Sequence, residues 1–388
     1  MTDTVRRSTP APVPPGVEVV GTAQRAAWAA HELPPVEHLD SGIWSVPVPI
    51  PNSPLRYTLT YLVPGDHGLL VVDPGWDSDA SWAALTAGIT AAGATFDDVT
   101  GIVATHMHPD HHGLSRRLAA ATGAWVAMHH LEAELLPRRT GDTLGDRVQA
   151  VGRWMCACGA SEGEVDEFLE TGNRGSDAEA MIEPDIRLDD GELLPLPGRT
   201  LRTVWTPGHT PGHICLLDED AGVMLTGDHV LPRITPNIGL TPRAAADGPA
   251  LAAFLASLER VALTDEEHGG LTALPAHEYR FRGLANRARG LQAHHEERCA
   301  ELLAIVAELG DPTLWEVTSR LTWSRPWEQV GTMKFGALAE TAAHAAHLAD
   351  LGRLEYIGSP TAPAAPAPQV PGDTGSAVRL RLVGRAAA

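Results

Sequence analysis

Four apolar runs in this chain end on a histidine or an aspartate, and that recurrence limits the folds open to it. Gly101-Ile102-Val103-Ala104 leads into Thr105-His106-Met107-His108-Pro109-Asp110-His111-His112-Gly113. Thr200 to Trp205 leads into Thr206-Pro207-Gly208-His209, Val223 to Thr226 into Gly227-Asp228-His229, and Leu271 to Leu274 into Pro275-Ala276-His277-Glu278. Each run has the length and apolar continuity of a buried strand. Ends of successive strands on one edge of a sheet converge in space, where α/β proteins place their sites.

The side chains gathered this way suit a metal. His106, His108, Asp110 and His111 lie within six residues, and without a cation they would repel or desolvate one another. Imidazole and carboxylate are ligand types for zinc and its neighbours in the transition series; iron or manganese would also suit them. Adding His209, Asp228 and His277 gives five histidines and two aspartates. One four-coordinate zinc cannot use so many, whereas two metals sharing a carboxylate can. The four cysteines, Cys156, Cys158, Cys215 and Cys299, include a C-x-C without a matching second pair and read as reduced thiols.

A length of 388 residues points to two domains. The 49 acidic against 29 basic residues give a net charge of −20, which disfavours tight, sequence-independent binding to nucleic acid or an anionic membrane. The single lysine, Lys334, carries no functional reading. No run of about eighteen apolar residues occurs, so no transmembrane helix is expected. Arg6 and Arg7 are followed by Pro-rich sequence rather than an apolar segment, so no secretory signal is expected and the cytoplasm is favoured.

Residues 1–35 are rich in Pro, Ala and Val and read as a disordered tail, with one helical turn around Gln24 to His31. Three strands follow, at Gly42–Val46, Tyr57–Val63 and Leu69–Val72, the last two joined by hairpin chemistry at Pro64-Gly65-Asp66-His67-Gly68. Asp77 or Ser78 can cap a helix that runs to about Ala92. After the strand Trp125–Met128, residues 131–185 interrupt the alternation with polar, helix-prone sequence, and insertions near a site often form its lid or a wall. Leu284–Gly310 reads as one long helix, with Asp311 and Pro312 starting another. Leu338–Leu351 is a further helix by its apolar spacing, and Gly352–Ile357 a short strand or wing. Residues 359–388 return to Pro, Ala and Gly and read as a disordered tail.

Five pieces together resemble the metallo-β-lactamase superfamily, in its hydrolase branch that includes glyoxalase II. They are Asp73 in Val-Asp-Pro-Gly, His106-x-His108-x-Asp110-His111, Gly208-His209-Thr210-x-Gly212-His213, Thr226-Gly227-Asp228, and Pro275-Ala276-His277-Glu278. The resemblance implies an αββα sandwich over residues 36–280. It implies two zinc ions per chain, one held by His106, His108 and His209, the other by Asp110, His111 and His277, with Asp228 bridging. Asp73 would be a buried residue that holds the metal loop. His112, His213 and His229 would support ligands rather than ligate. Two metals sharing a water would yield hydroxide near neutral pH for attack on a carbonyl, and Asp110 could orient it.

Residues 281–358 resemble the winged-helix appendage of a subset of these hydrolases, among them a mitochondrial endoribonuclease and fungal polyketide thioesterases. His294-His295-Glu296-Glu297-Arg298 resembles the stretch preceding that appendage and reads equally as a solvated helix face. Residues 280–356 carry nine basic against ten acidic side chains, without the excess that phosphate binding demands. The sequence therefore favours a hydrolase of a thioester, ester or lactone, with a small-molecule or acyl-thioester substrate and no nucleic-acid or membrane partner. A metal-dependent endoribonuclease and a β-lactam hydrolase are the alternatives, and a non-catalytic metal protein is disfavoured by the complete ligand set. Neither the substrate's identity nor the oligomeric state can be read from the residues.

Overall fold

The computed structural model describes residues 12–136, 144–172, 181–240, 248–357 and 377–384. Two sheets stack face to face. The first has seven strands in the spatial order Glu37–His38, Trp44–Pro49, Tyr57–Gly65, Gly68–Val72, Val99–Val103, Trp125–His129, Ile186–Leu188. It begins as antiparallel hairpins and becomes parallel from Gly68–Val72 onward. The second orders Glu18–Val19, Phe281–Arg282, Thr272–Pro275, Val223–Gly227, Ile214–Asp218 and Leu201–Trp205, with one parallel pair between Val223–Gly227 and Thr272–Pro275.

Period-two alternation explains the layering. Leu59, Tyr61, Val63, Leu70 and Val72 face Leu216, Leu225 and Leu274 of the other sheet across one core. The residues between them, Leu62, Leu69 and Val71, point the other way, onto Leu85 and Ile89 of helix Asp79–Ala91 and Leu118 of helix Ser115–Thr122. On the far side Cys215, Leu217 and Met224 pack on Phe254 and Leu258 of helix Ala250–Glu267 and on Leu284 and Leu291 of helix Leu284–Leu309. Helices therefore flank a double sheet, the α/β metallo-β-lactamase architecture expected above.

The ends of the chain differ from the sequence reading. Residues 12–35 are not a tail: Glu18–Val19 adds a strand beside Phe281–Arg282, and Thr22–Ala30 is a helix. Its Gln24 is buried, donating to Ser45 Oγ at 3.0 Å and accepting from the Arg280 N–H at 2.9 Å. Within the other expected tail, Arg379–Leu382 pairs with Leu354–Ile357. Residues 1–11, 359–376 and 385–388, also assigned to tails, lie outside the described residues.

The insertion is helical, with segments His130–Leu135, Leu144–Ala157 and Glu162–Gly172. Its second and third helices share a core with the C-terminal unit, which consists of helices Leu284–Leu309, Leu314–Arg320 and Lys334–Asp350 and a two-stranded ribbon. Trp154, Met155, Cys158 and Val165 pack with Leu302, Leu314, Trp315, Val317 and Leu338. No helix among the described residues is long and apolar enough to cross a membrane.

Candidate metal centre

Strand Val99–Val103 lies buried between two parallel neighbours. It delivers His106 and His108, after which Pro109 opens a single helical turn that carries Asp110 and His111. Under this loop sits Asp73, just past strand Gly68–Val72. Its φ of 53° is an uncommon value for a non-glycine residue, and it turns the carboxylate toward the loop. Oδ1 accepts the Thr105 N–H at 2.7 Å, and Oδ2 accepts the Thr105 hydroxyl at 2.9 Å and faces His111 Nδ1 at 2.9 Å.

The second sheet supplies the rest. His209 stands on the loop after Leu201–Trp205, where Gly208 has φ 142° and an added Cβ would lie 2.4 Å from Phe254. Asp228 and His277 follow the parallel pair Val223–Gly227 and Thr272–Pro275. Gly227, at φ 49°, leaves no room for a side chain beside His213 and Thr105.

The seven ligand candidates converge. His106 Nε2 lies 2.9 Å and His209 Nε2 3.0 Å from His108 Nδ1. Asp110 Oδ2 lies 3.5 Å from His277 Nε2 and 3.9 Å from His111 Nε2. Asp228 faces both groups: Oδ2 is 3.8 Å from His209 Nε2 and 3.6 Å from His111 Nε2, and Oδ1 is 3.2 Å from His277 Nε2. Ligands about 2.0–2.1 Å from a tetrahedral metal are about 3.3–3.4 Å apart, the spacing these atoms bracket. His106–His108–His209, His106–His111–Asp228 and Asp110–His111–His277 each bring three donor atoms within 4.8 Å of one another.

The other ring nitrogens are already taken. His209 Nδ1 donates to the Asn237 carbonyl at 2.7 Å and His277 Nδ1 to the Tyr57 carbonyl at 2.9 Å. His106 Nδ1 is 3.1 Å from the Thr105 hydroxyl, which gives its own proton to Asp73. These bonds leave Nε2 of His106, His111, His209 and His277 aimed at the centre, while His108 presents Nδ1. His111 Nε2, His277 Nε2 and Asp228 Oδ1 are buried without a hydrogen-bond partner. Unsatisfied buried donors and acceptors are costly, and a cation bound between them would satisfy all three. The residues fit a metal.

Electrostatics divides the site. Burial, reinforced by the neighbouring rings, holds His106 well below its usual pKa and takes His108 down to about 3; burial also lowers His209. Burial opposes charge on His111 and His277 too, but Asp228 and its fellow carboxylates outweigh it and hold both above the usual value. Asp228 is itself buried, yet His277 and His111 keep it well below the carboxylate range.

His112, His213 and His229 stand beside the three groups, not within them. His112 Nε2 is 2.8 Å from the Ile182 carbonyl. His213 Nε2 accepts the Asp228 N–H at 3.1 Å, and the buried His229 meets the edge of Phe254. All four cysteines are free and none belongs to a metal-facing group. A cavity of about 670 Å³ opens at the opposite end of the strands, beside Arg199, Asp220 and Thr272, so cavity volume does not mark the chemistry.

Sequence reasoning missed several supports. Asn237 and Tyr57 act through backbone carbonyls, which leave no trace in residue type. Glu278, buried at φ 69°, takes the Arg233 guanidinium at 2.9 Å and the backbone N–H groups of Arg233 and Ile234, which fixes the segment leading to Asn237. Glu132 accepts the N–H of Met107 and of Gly212. A carboxylate three residues past a strand that ends on a histidine was its only sequence signal.

Comparisons with known proteins bear on the family and the fold. Residues 54–268 match the family model of the metallo-beta-lactamase superfamily. The human acyl-coenzyme A thioesterase MBLAC2 is 35% identical over 129 residues, 33% of this chain and 40% of that protein. The chain thus spans well under half the length of that relative. A crystal structure of the metallo-beta-lactamase family protein TTHA1429 from Thermus thermophilus superposes with a TM-score of 0.68 at 30% identity, covering 88% of this chain and 98% of that one. A beta-lactamase domain protein from Burkholderia ambifaria shares the fold, with a TM-score of 0.71 at 24% identity over 95% of this chain and 98% of that one.

Proposed function

The chain belongs to the metallo-β-lactamase superfamily of hydrolases, and from that premise we propose that it is a dinuclear metal hydrolase of acyl thioesters. One observation carries the dinuclear reading: Asp228 stands between two three-residue groups, its Oδ2 within 3.8 Å of His209 Nε2 and 3.6 Å of His111 Nε2 and its Oδ1 within 3.2 Å of His277 Nε2. The thioester reading is supported by the likeness to an acyl-coenzyme A thioesterase. His106, His108 and His209 would hold one metal, Asp110, His111 and His277 the other, and Asp228 both. The donor set suits zinc foremost. The seven ligands and Asp73, in this order along the chain, support placement in the glyoxalase II-like branch.

Bound there, the metals would polarise the carbonyl and acidify a water so that it attacks near neutral pH. The chain's own residues set the stage. Asp73 fixes the His111 ring through Nδ1 and the loop through Thr105. Asp110 has 15% of its side chain exposed, against 10% for Asp228 and 4% for Asp73. It is therefore the carboxylate that incoming water meets, and it can take up the proton released on attack. Buried rings on the remaining sides exclude bulk solvent, which strengthens each charge interaction inside.

We read residues 36–280 as the catalytic domain and 281–358 as a winged-helix-like unit, a reading supported by its succession of helices and by the ribbon that Leu354–Ile357 forms with Arg379–Leu382 from beyond those bounds. The deciding experiment is a hydrolysis screen of zinc-loaded protein against acyl-CoA thioesters, lactones, β-lactams and single-stranded RNA. Chelator-sensitive thioester hydrolysis is expected. Cleavage of RNA with no thioesterase activity would overturn the proposal.

A further inference from the structure

Helix His130–Leu135 follows directly on strand Trp125–His129, and its Glu132 points inward with no solvent exposure. Oε2 accepts the Met107 N–H at 2.8 Å, and Oε1 accepts the Gly212 N–H at 2.6 Å. Met107 lies between His106 and His108, on the loop from the first sheet. Gly212 closes the His209 loop, which belongs to the second sheet. One carboxylate thus ties together the two loops that supply the three-histidine group.

The contact is built closely. A Cβ at Gly212 would come within 2.7 Å of the Glu132 backbone nitrogen and 3.0 Å of Oε1, so only glycine lets the loop approach. Among the described residues no basic side chain forms an ion pair with Glu132. Burial pushes the Glu132 carboxyl above its usual range, and the bonds from the Met107 and Gly212 N–H groups oppose that in part. The other holders each act on one loop: Asp73 fixes His111 and Thr105, the Tyr57 carbonyl fixes His277, and the Asn237 carbonyl fixes the His209 ring. His106 and His108 come from one sheet and His209 from the other, so their separation depends on what spans the two loops: the Glu132 carboxylate and, beside it, the Ile214 N–H, which donates to the Thr105 carbonyl at 3.0 Å.

We infer that Glu132 is the positioning residue of the three-histidine metal group, setting the distance of His209 from His106 and His108. This rests on the metal reading above and goes beyond it in assigning separate control of one metal. Glu132→Gln is the diagnostic substitution. The amide keeps the shape but has one acceptor oxygen, so its NH2 must face one of the two N–H donors.

The test measures stepwise metal affinities of the full chain by chelator competition, the visible spectrum of the cobalt(II)-substituted protein, and the melting temperature. Glu132→Gln should weaken one of the two affinities roughly tenfold to hundredfold, alter the cobalt bands and leave the other affinity near wild type. In a His277→Ala background, where the three-histidine group remains alone, it should weaken the remaining affinity. Gly212→Ala pushes on the same contact from the other loop and should show the same selective loss, which keeps the inference testable if Glu132→Gln fails to fold. Wild-type affinities and cobalt spectra in both variants, with only a lower melting temperature, would overturn the inference and leave Glu132 a plain loop staple. A wild-type chain that holds a single metal overturns the dinuclear reading instead, and Glu132 is then judged on that one affinity. A chain that holds none overturns both.

Discussion

At the scale of single residues, Asp228 and His277 make different demands on the centre. Asp228 faces both groups, whereas His277 belongs to the Asp110–His111–His277 group alone. Asp228→Ala should bring metal content after dialysis well below two equivalents and leave less hydrolysis than His277→Ala, which keeps three histidines, a complete set for a catalytic zinc. Two retained equivalents with near-normal turnover in Asp228→Ala would remove the bridging role. The protonation pattern adds an order of metal loss. Asp228 and the carboxylates around it hold His111 and His277 above the usual imidazole value, so protons compete with a metal there at higher pH than at His106, His108 and His209, which burial holds below it. On acidification the Asp110–His111–His277 metal should leave first, and metal content titrated against pH should show two steps in that order. The seven ligand candidates were legible in sequence because each follows closely on a strand. Glu132 and Asn237 were not, since their contacts join segments 25 to 80 residues apart.

Among whole elements, the strands were read from apolar runs and the long C-terminal helix from its spacing, with boundaries moved by a residue or two: the strand expected from Gly101 runs Val99–Val103. The N-terminal helix was not legible as part of the fold. It is Ala-rich with no clear stripe, and what holds it is distant in sequence: Gln24 reaches Arg280 and Ser45, and Trp28 meets the edge of Tyr57 with Arg56 over its ring. Composition cannot announce bonds of that kind. Gln24→Ala leaves the Arg280 N–H and the Ser45 hydroxyl unpaired in a buried setting, and should cost about 1–3 kcal/mol of unfolding free energy with metal content unchanged. A neutral result in chemical denaturation would show that the segment is only loosely laid on the sandwich.

Across the whole molecule, the C-terminal unit joins the catalytic half not only where helix Leu284–Leu309 packs on the second sheet but at two further junctions among the described residues. The insertion helices bury Trp154 and Met155 against Leu302, Leu314 and Leu338, Trp315 donates its backbone N–H to the Cys158 carbonyl at 2.9 Å, and Lys334 lies 3.6 Å from Glu164. The second junction reaches the metal centre. Asn237 Nδ2 donates to the Gly336 carbonyl at 3.4 Å at the start of helix Lys334–Asp350, and the Asn237 carbonyl holds His209 Nδ1. Gly239 lies so close to that helix that a Cβ would be 2.7 Å from the Ala339 carbonyl. Ending the chain at residue 310 would therefore strip the insertion helices of Leu314, Trp315 and Leu338 and remove the Gly336 carbonyl from the segment that orients His209. Burying a large aromatic such as Trp154 is worth about 3–5 kcal/mol, a sizeable share of a domain's net stability. The truncated chain should expose this surface, bind a hydrophobic dye, associate in solution and hold the three-histidine metal more weakly than the full chain. A monodisperse truncation with the full chain's metal content and hydrolytic activity would show that the C-terminal unit is dispensable to the centre.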